Sequence, residues 1–375
     1  ATSVVITATG GGAVTSSGAV GASSLTNPKG RGIYIVEVAQ LASASPFAPS
    51  FTNSGRKIWG FTYGATDTAT TSTAMTFSIP SEVSALDTDY NGYIDRFYVG
   101  DTGGNIWRFN VGSSSTASWT ARKIFSSNPG SDSTNGRKIF FKPSVSYESG
   151  YQMLFFGTGD REHPLNWYDA TANAIRDRIY GIKDKDSDQT TTVVEDHADN
   201  AHELVDLTDN YLQACTTDCS QLNSILSNLD TLFGWYIKLN ENSGEKVLAP
   251  ALVFNKVAYY TTYAPSTTLP ADPCDPGNLG TGRLYAVDYK TGEAVMNYDT
   301  TNTSSGTNTR SLNSEGQALL RSDRVKTLGS GIPSGLVVIV GAGGEDKLLI
   351  GCGGSICAEE TSGGGTIIPL YWRQK

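Results

Sequence analysis

The feature that most constrains this chain is a returning phrase of two short apolar strands joined by a Gly-rich turn. Its clearest statement is Phe97-Tyr98-Val99-Gly100-Asp101-Thr102-Gly103-Gly104-Asn105-Ile106-Trp107-Arg108-Phe109-Asn110. Two runs rich in β-branched and aromatic residues around a Gly/Asp/Asn turn read as a hairpin. An earlier copy, Gly30-Arg31-Gly32-Ile33-Tyr34-Ile35-Val36-Glu37-Val38, is apolar on both sides of its alternation in places. Such a strand fits burial between two neighbouring sheets better than half exposure. A third copy is split between Gln152–Asp160 and Asp177–Asp184, and a fourth starts at Phe233–Leu239 and runs on to Ala251–Tyr263, with an Asn255-Lys256 hairpin turn. A fifth spans Gly282–Glu293, and a last candidate runs from Gly335 to Gly351, followed by Ile367–Trp372. Anchors at Ile33, Ile106, Ile179, Trp235 and Leu284 are separated by 73, 73, 56 and 49 residues. Compact propeller repeats take about 40–50 residues, so insertions between strands are required. The expected fold is mainly β: a modified β-propeller of six or seven blades, forming a single domain over residues 1–375. A β-sandwich, or two stacked β domains, is the rival architecture.

Composition agrees with many strands and tight turns: 41 Gly, 18 Tyr and only 17% charged residues in 375. A formal net charge of −9 and a pI near 4.9 argue against a nucleic-acid partner and leave no basic stripe for an anionic membrane. One stretch departs from the strand pattern. Residues of about 185–232 form an acidic insertion in which Leu222, Ile225, Leu226 and Leu229 fall at helical spacing, with Leu204–Leu212 as a candidate second helix. The insertion can pack on the propeller or present a partner-binding surface.

The segment before the strand Arg96-Phe97-Tyr98-Val99 carries the candidate chemistry. Asp87, Asp89, Asn91 and Asp95 occupy loop positions one, three, five and nine, with Gly92 at six and Tyr93 at seven. Alternate hard oxygens, a Gly for the left-handed turn and a backbone carbonyl from Tyr93 are what Ca2+ requires; zinc and copper prefer nitrogen or sulfur. Position twelve is Tyr98 rather than Glu, so the loop feeds a strand and is not a helix-loop-helix hand. The plain alternative is an Asx-rich turn without metal.

Other constellations are weaker. Asp184, Asp186 and Asp188 alternate like the start of a calcium loop but lack the Gly, which favours a solvated acidic turn. His197 and His202, among Glu195, Asp196, Asp199 and Glu203, are poorly spaced to share zinc from one helix face. His163, in Gly159-Asp160-Arg161-Glu162-His163, reads as ordinary surface before it reads as acid/base machinery. Neither a G-x-S-x-G elbow nor a P-loop occurs. Cys215/Cys219 and Cys352/Cys357 read as small-loop disulfides formed in an oxidising compartment, and Cys274 is left over. No apolar run reaches transmembrane length. The chain opens at Ala1 without Met or a targeting segment, and is expected to be a processed or trimmed piece of something longer.

Taken together, LDTDYNGYIDRFYVGDTGGNIWRFNV (Leu86–Val111) and GRLYAVDYKTGEAV (Gly282–Val295) resemble the Neisseria PilC β-propeller family, tip-associated proteins of type IV pili. The resemblance implies a modified seven-bladed propeller with a calcium site, and an N-terminal region of the parent protein absent here. It carries the calcium ligands onto Asp87, Asp89, Asn91, Asp95 and the Tyr93 carbonyl. It also implies a location at the cell surface, at the pilus tip or associated with the outer membrane. The roles implied are pilus biogenesis, control of retraction and adhesion, with minor pilins and a host or surface receptor as partners. The Arg-Gly-Asp site of some relatives has no counterpart in this sequence. Gly282–Asp288 also resembles the blades of quinone-dependent dehydrogenases, which use calcium. A contiguous loop saturated by protein oxygens leaves no open coordination for a quinone and its substrate, so a binding protein is expected rather than an enzyme.

Overall fold

The computed structural model describes residues 2–8, 30–41, 49–63, 75–127, 137–164, 176–188, 190–194, 203–209, 212–213, 220–266, 279–301, 319–341 and 346–361. Among these, the strands form five sheets that follow one another along the chain. Sheet one is built on Gly32–Leu41, which pairs with Thr2–Ala8, Pro49–Ser50 and Lys57–Thr62. Sheet two runs in the order Val193–Val194, Thr120–Ser126, Asn105–Asn110, Arg96–Gly100, Ser84–Leu86. Sheet three runs Val205–Asp206, Gly234–Lys238, Arg178–Lys185, Tyr151–Gly157, Ser144–Glu148. Sheet four holds Lys246–Val247, Val257–Ala264, Thr281–Asp288 and Val325–Ser330, with Leu252–Phe254 also on Val257–Ala264. Sheet five is Val337–Ile339, Lys347–Cys352 and Ser355–Glu360.

The two-residue alternation of each central strand feeds two cores. Phe97 and Val99 pack toward Ile33, Ile35, Trp59 and Phe61 of sheet one, while Tyr98 between them packs toward Leu154, Phe156 and Tyr180 of sheet three. Met153 and Phe155 turn the other way, onto Val247, Ala258 and Tyr260 of sheet four. Val257 and Tyr259 then meet Leu348 and Ile350 of sheet five. Each sheet is therefore stacked on its sequence neighbours, face to face. This is the blade-on-blade packing of a β-propeller, and it explains strands that are apolar on both faces.

The turns follow their residues. Gly100 and Asn105 bound the predicted hairpin, and the turn closes on a buried carboxylate. Asp101 accepts from the N–H groups of Gly103 and Asn105, from Asn105 Nδ2 and, at 2.8 Å, from Trp107 Nε1. Burial raises the Asp101 pKa, and those donors oppose the rise. Asn255 and Lys256 both take positive φ, 49° and 64°, as a two-residue hairpin requires.

Two expectations need correction. Phe233–Leu239 does not open a new repeat: its strand Gly234–Lys238 pairs with Arg178–Lys185 and completes sheet three, so the insertion lies within one blade. Ala251–Tyr263 belongs with Gly282–Asp288 in sheet four. The candidate helix Leu204–Leu212 is also not formed among its described residues, 204–209 and 212. Val205–Asp206 pairs in parallel with Trp235 and Tyr236, because the open edge of that strand demands backbone partners. Val193–Val194 caps the edge of sheet two in the same way. The helix expected from Leu222–Leu229 does form, as Ser220–Thr231, and packs Leu222, Ile225, Leu226 and Leu229 onto the core shared by sheets three and four. No helix among the described residues is long and apolar enough to cross a membrane. Cys352 and Cys357 form a disulfide across the last hairpin, whereas Cys215, Cys219, Cys274, His197 and His202 lie outside the described residues.

Asp184 is not solvated. Its side chain is 2% exposed, and it accepts from Arg108 Nη1 at 2.7 Å and Tyr98 Oη at 2.6 Å, both across the seam from sheet two. Removing one partner of a buried ion pair strands the other, so Asp184→Ala is expected to cost about 3–5 kcal/mol. Asp186, 46% exposed and 3.1 Å from Arg96, is expected to cost no more than about 1 kcal/mol when replaced by Ala. Urea unfolding of both variants beside wild type checks the contrast.

Candidate metal centre

The loop from Asp87 to Asp95 is the hairpin connection between Ser84–Leu86 and Arg96–Gly100, at the edge of sheet two. Its base is closed by the backbone: Asp95 N–H donates to Leu86 O, and Val111 N–H to Asp95 O. Within it, Tyr90 and Gly92 adopt φ of 60° and 90°, which lets the chain reverse twice in a few residues. The side chains then turn inward. Asp87 accepts from Gly92 N–H at 2.7 Å and Asn91 N–H at 3.1 Å. Asp89 accepts from Asn91, and Asn91 Oδ1 accepts from Tyr93 N–H at 2.8 Å. Asp95 accepts from Thr88 N–H and its hydroxyl.

Asp87, Asp89 and Asp95 thereby bring carboxylate oxygens within 4.8 Å of one another. No Lys or Arg among the described residues forms an ion pair with any of the three. Like charges this close repel, and water screens that repulsion without removing it. Loop N–H groups offset part of this. Desolvation raises the Asp87 pKa, but the N–H groups of Gly92 and Asn91 outweigh it and leave Asp87 below the ordinary aspartate value. A ring of hard oxygens without a counter-charge fits a hard divalent cation.

Two neighbours that sequence reasoning passed over support the loop. Tyr147, on the edge strand of sheet three, donates from its hydroxyl to Asp87 O at 3.2 Å and sets its ring 5.7 Å from that of Tyr90. Gly112 lies under Asp95, where a Cβ would stand 2.8 Å from Asp95 Cβ. Arg96, directly after Asp95, donates to Asn110, Gln152 and Asp186, and so ties the loop's outgoing strand to sheet three.

A second cluster makes a useful contrast. Asp160, Glu162 and His163 also bring ligand atoms within 4.8 Å. Here Lys138 Nζ already sits 2.8 Å from Asp160 Oδ2 and 3.7 Å from Glu162 Oε2, so one of the two carboxylate charges is met by a lysine without metal. Asp160 is part-buried rather than plain surface. Its pKa is lowered, because Lys138 and His163 overcome the opposing effect of burial. Behind it, burial pushes Asp177 up to about 6 despite Lys246, Thr158 and Arg137.

No family model matches this chain. The type IV pilus biogenesis factor PilY1 homolog of Xylella fastidiosa strain Temecula1 is 26% identical over 233 residues, 57% of this chain and 14% of that protein. The chain thus matches only a small part of that relative's length. Among solved structures, the Pseudomonas aeruginosa PilY1 C-terminal domain superposes over 89% of this chain and 67% of that one, with a TM-score of 0.50 and 14% identity. A GH93 α-L-arabinofuranosidase of Fusarium graminearum follows with a TM-score of 0.31 and 8% identity, and nothing about chemistry rests on it. The class defined is a mainly β, propeller-like protein with the fold of a PilY1 C-terminal domain. Sequence and fold both lead to PilY1-like propellers, the broader part of the expected family resemblance.

Gly112→Ala is expected to displace Asp95 and destabilise by about 1–3 kcal/mol through overpacking. Gly92→Ala, with nothing within 4 Å of its Cβ, should cost about 1 kcal/mol through φ alone. Chemical denaturation checks both. Asp177 supplies a pH test. Its folded pKa lies above the unfolded value, so its contribution is fully present below about pH 4 and is lost as pH rises to about 6. Wild type should therefore lose on the order of 3 kcal/mol across that window relative to Asp177→Asn, as read from melts of both at pH 4 and pH 7.

Proposed function

We propose that this chain is a calcium-binding propeller of a type IV pilus-associated protein, acting by binding rather than catalysis. The pilus reading is carried by one observation, that the sequence match and the fold match both reach PilY1 proteins. In this reading residues 1–375 form one propeller unit joined to an N-terminal region in the parent protein. The chain is then kin to the Neisseria PilC propellers and works at the cell surface, at the pilus tip or beside the outer membrane. It supports pilus biogenesis, retraction control and adhesion through minor pilins and a surface receptor.

Asp87, Asp89, Asn91, Asp95 and the Tyr93 carbonyl would hold Ca2+. When bound, the ion supplies the positive charge that the three carboxylates lack. The residues around them do the rest. Thr88 fixes Asp95, Gly92 N–H and Asn91 N–H orient Asp87, and Tyr147 holds the loop against sheet three. A partner that reads the ordered loop edge would then bind in a calcium-dependent way, since a ligand shifts an equilibrium by its differential affinity for two states. A purely structural staple is the competing role for the same site.

Calorimetric titration with Ca2+ of wild type beside Asp95→Ala tests the metal reading. One site is expected in wild type and none in the variant; absence of binding by folded wild type would overturn it. At a hundredfold excess over Kd, calcium should add about 2.7 kcal/mol to wild-type stability. Piliation then separates the roles: an Asp95→Ala protein that melts like calcium-free wild type yet fails to support pili indicates a switch, and one that unfolds indicates a staple.

A further inference from the structure

On one face of the molecule, loops from three consecutive stretches meet around a cleft of about 430 Å³. Phe141 and Arg161 flank strands of sheet three, Pro250 follows Lys246–Val247 of sheet four, and Ile332 and Pro333 lie between sheets four and five. This volume is in the range of small-molecule sites, about 300–1,000 Å³. The walls are apolar and already rigid, because proline side chains lose almost no rotamer freedom when they meet a ligand. Ile332 is half exposed with no described side chain over it.

One charge faces this apolar cleft. The Arg161 guanidinium lies over the Phe141 ring, 5.5 Å from its centroid, and makes no hydrogen bond or ion pair with any described residue. The acids beside it are engaged elsewhere: Asp160 and Glu162 face Lys138, and Asp160 also holds His163. Lys246, behind the Pro164 wall, donates to Pro164 O at 3.2 Å. Arg161 is the one charged side chain among the described residues that line the cleft. A cationic ligand would meet Arg161 unfavourably. A neutral apolar ligand would partly desolvate the guanidinium without pairing it.

We propose that this cleft binds a ligand with an apolar body ending in a carboxylate, Arg161 gripping the carboxylate while Phe141, Pro250, Ile332 and Pro333 hold the body. A planar guanidinium stacked on an aromatic ring presents its N–H fork to a carboxylate in bidentate fashion. A free organic acid and the C-terminus of a peptide chain share this chemistry.

Ligand-observed NMR titration of the full chain with 3-phenylpropionate and with its uncharged amide tests the assignment. The acid should bind at least about tenfold more tightly than the amide, as expected for hydrogen bonds to a charged group. Arg161→Gln, at an exposed position, should erase that difference without changing the melt. Ile332→Glu, which sets a carboxylate on the wall, should weaken the acid more than the amide. Equal binding of acid and amide, failure of both to bind wild type, or unchanged acid binding by Arg161→Gln would each overturn the proposal. Acetyl-Gly-Phe with a free or an amidated C-terminus distinguishes the sources. Tighter binding of the free peptide than of phenylpropionate supports a chain terminus, equal binding supports a small acid, and indifference to amidation rejects carboxylate recognition altogether.

Discussion

Stacking of sheets two, three and four each between two others is the constraint on which the rest of this structure depends. A strand such as Arg96–Gly100 has no solvent face: Phe97 and Val99 serve one core and Tyr98 the next. A carboxylate enters that stack with partners, because an unpaired buried charge costs several kcal/mol. Asp101 and Asp184 obey this, the first closing its own turn and the second joining sheets two and three through Tyr98 and Arg108. Variable chemistry is consequently displaced to hairpin loops and to the clefts between blades, where backbone and side chains still reach water.

The same constraint decides what was legible in the sequence. Short-range features could be read directly. The Asn255-Lys256 hairpin, the Gly-Asp-x-Gly-Gly-Asn turn and the helix over Leu222–Leu229 each depend on residues a few positions apart. The partnership of Gly234–Lys238 with Arg178–Lys185 could not be read so, because the insertion separates them and the strand phrase looks alike in every blade. Pairing at that distance is chosen by which face must be buried against which neighbour, a property of the assembled stack. Leu204–Leu212 failed for a related reason: its apolar residues suit a helix, but an open strand edge beside it offers unpaired backbone groups, and edge pairing prevailed over local propensity.

The candidate site divides along the same line. Its candidate ligands lie within nine residues, so spacing alone was enough to nominate them. Their supports come from afar: Tyr147 arrives from the next sheet, and Gly112 matters only because the hairpin returns it beneath Asp95. Asp184 looked like the head of a second acidic loop because alternating carboxylates in a turn say nothing about an arginine 76 positions earlier. Counter-charges are tertiary facts. They determine whether a carboxylate cluster is an empty demand or a satisfied one.

That distinction separates the two clusters found among the described residues, both of which bring ligand atoms within 4.8 Å of one another. At Asp160, Glu162 and His163 a lysine ammonium already offsets half of the carboxylate charge, so a divalent ion would have to displace a bonded partner. At Asp87, Asp89 and Asp95 the compensation among the described residues comes from loop N–H groups and the Thr88 hydroxyl, which orient the oxygens without neutralising them. The remaining repulsion among the carboxylates is what a cation would relieve. Arg96 leaves this loop directly for Asn110, Gln152 and Asp186, and Tyr147 returns from sheet three to Asp87. The loop is thereby bonded to the seam between sheets two and three and is not an isolated hairpin tip. The proposed metal would act on an edge shared by two blades, and a partner docking on that edge would sense it.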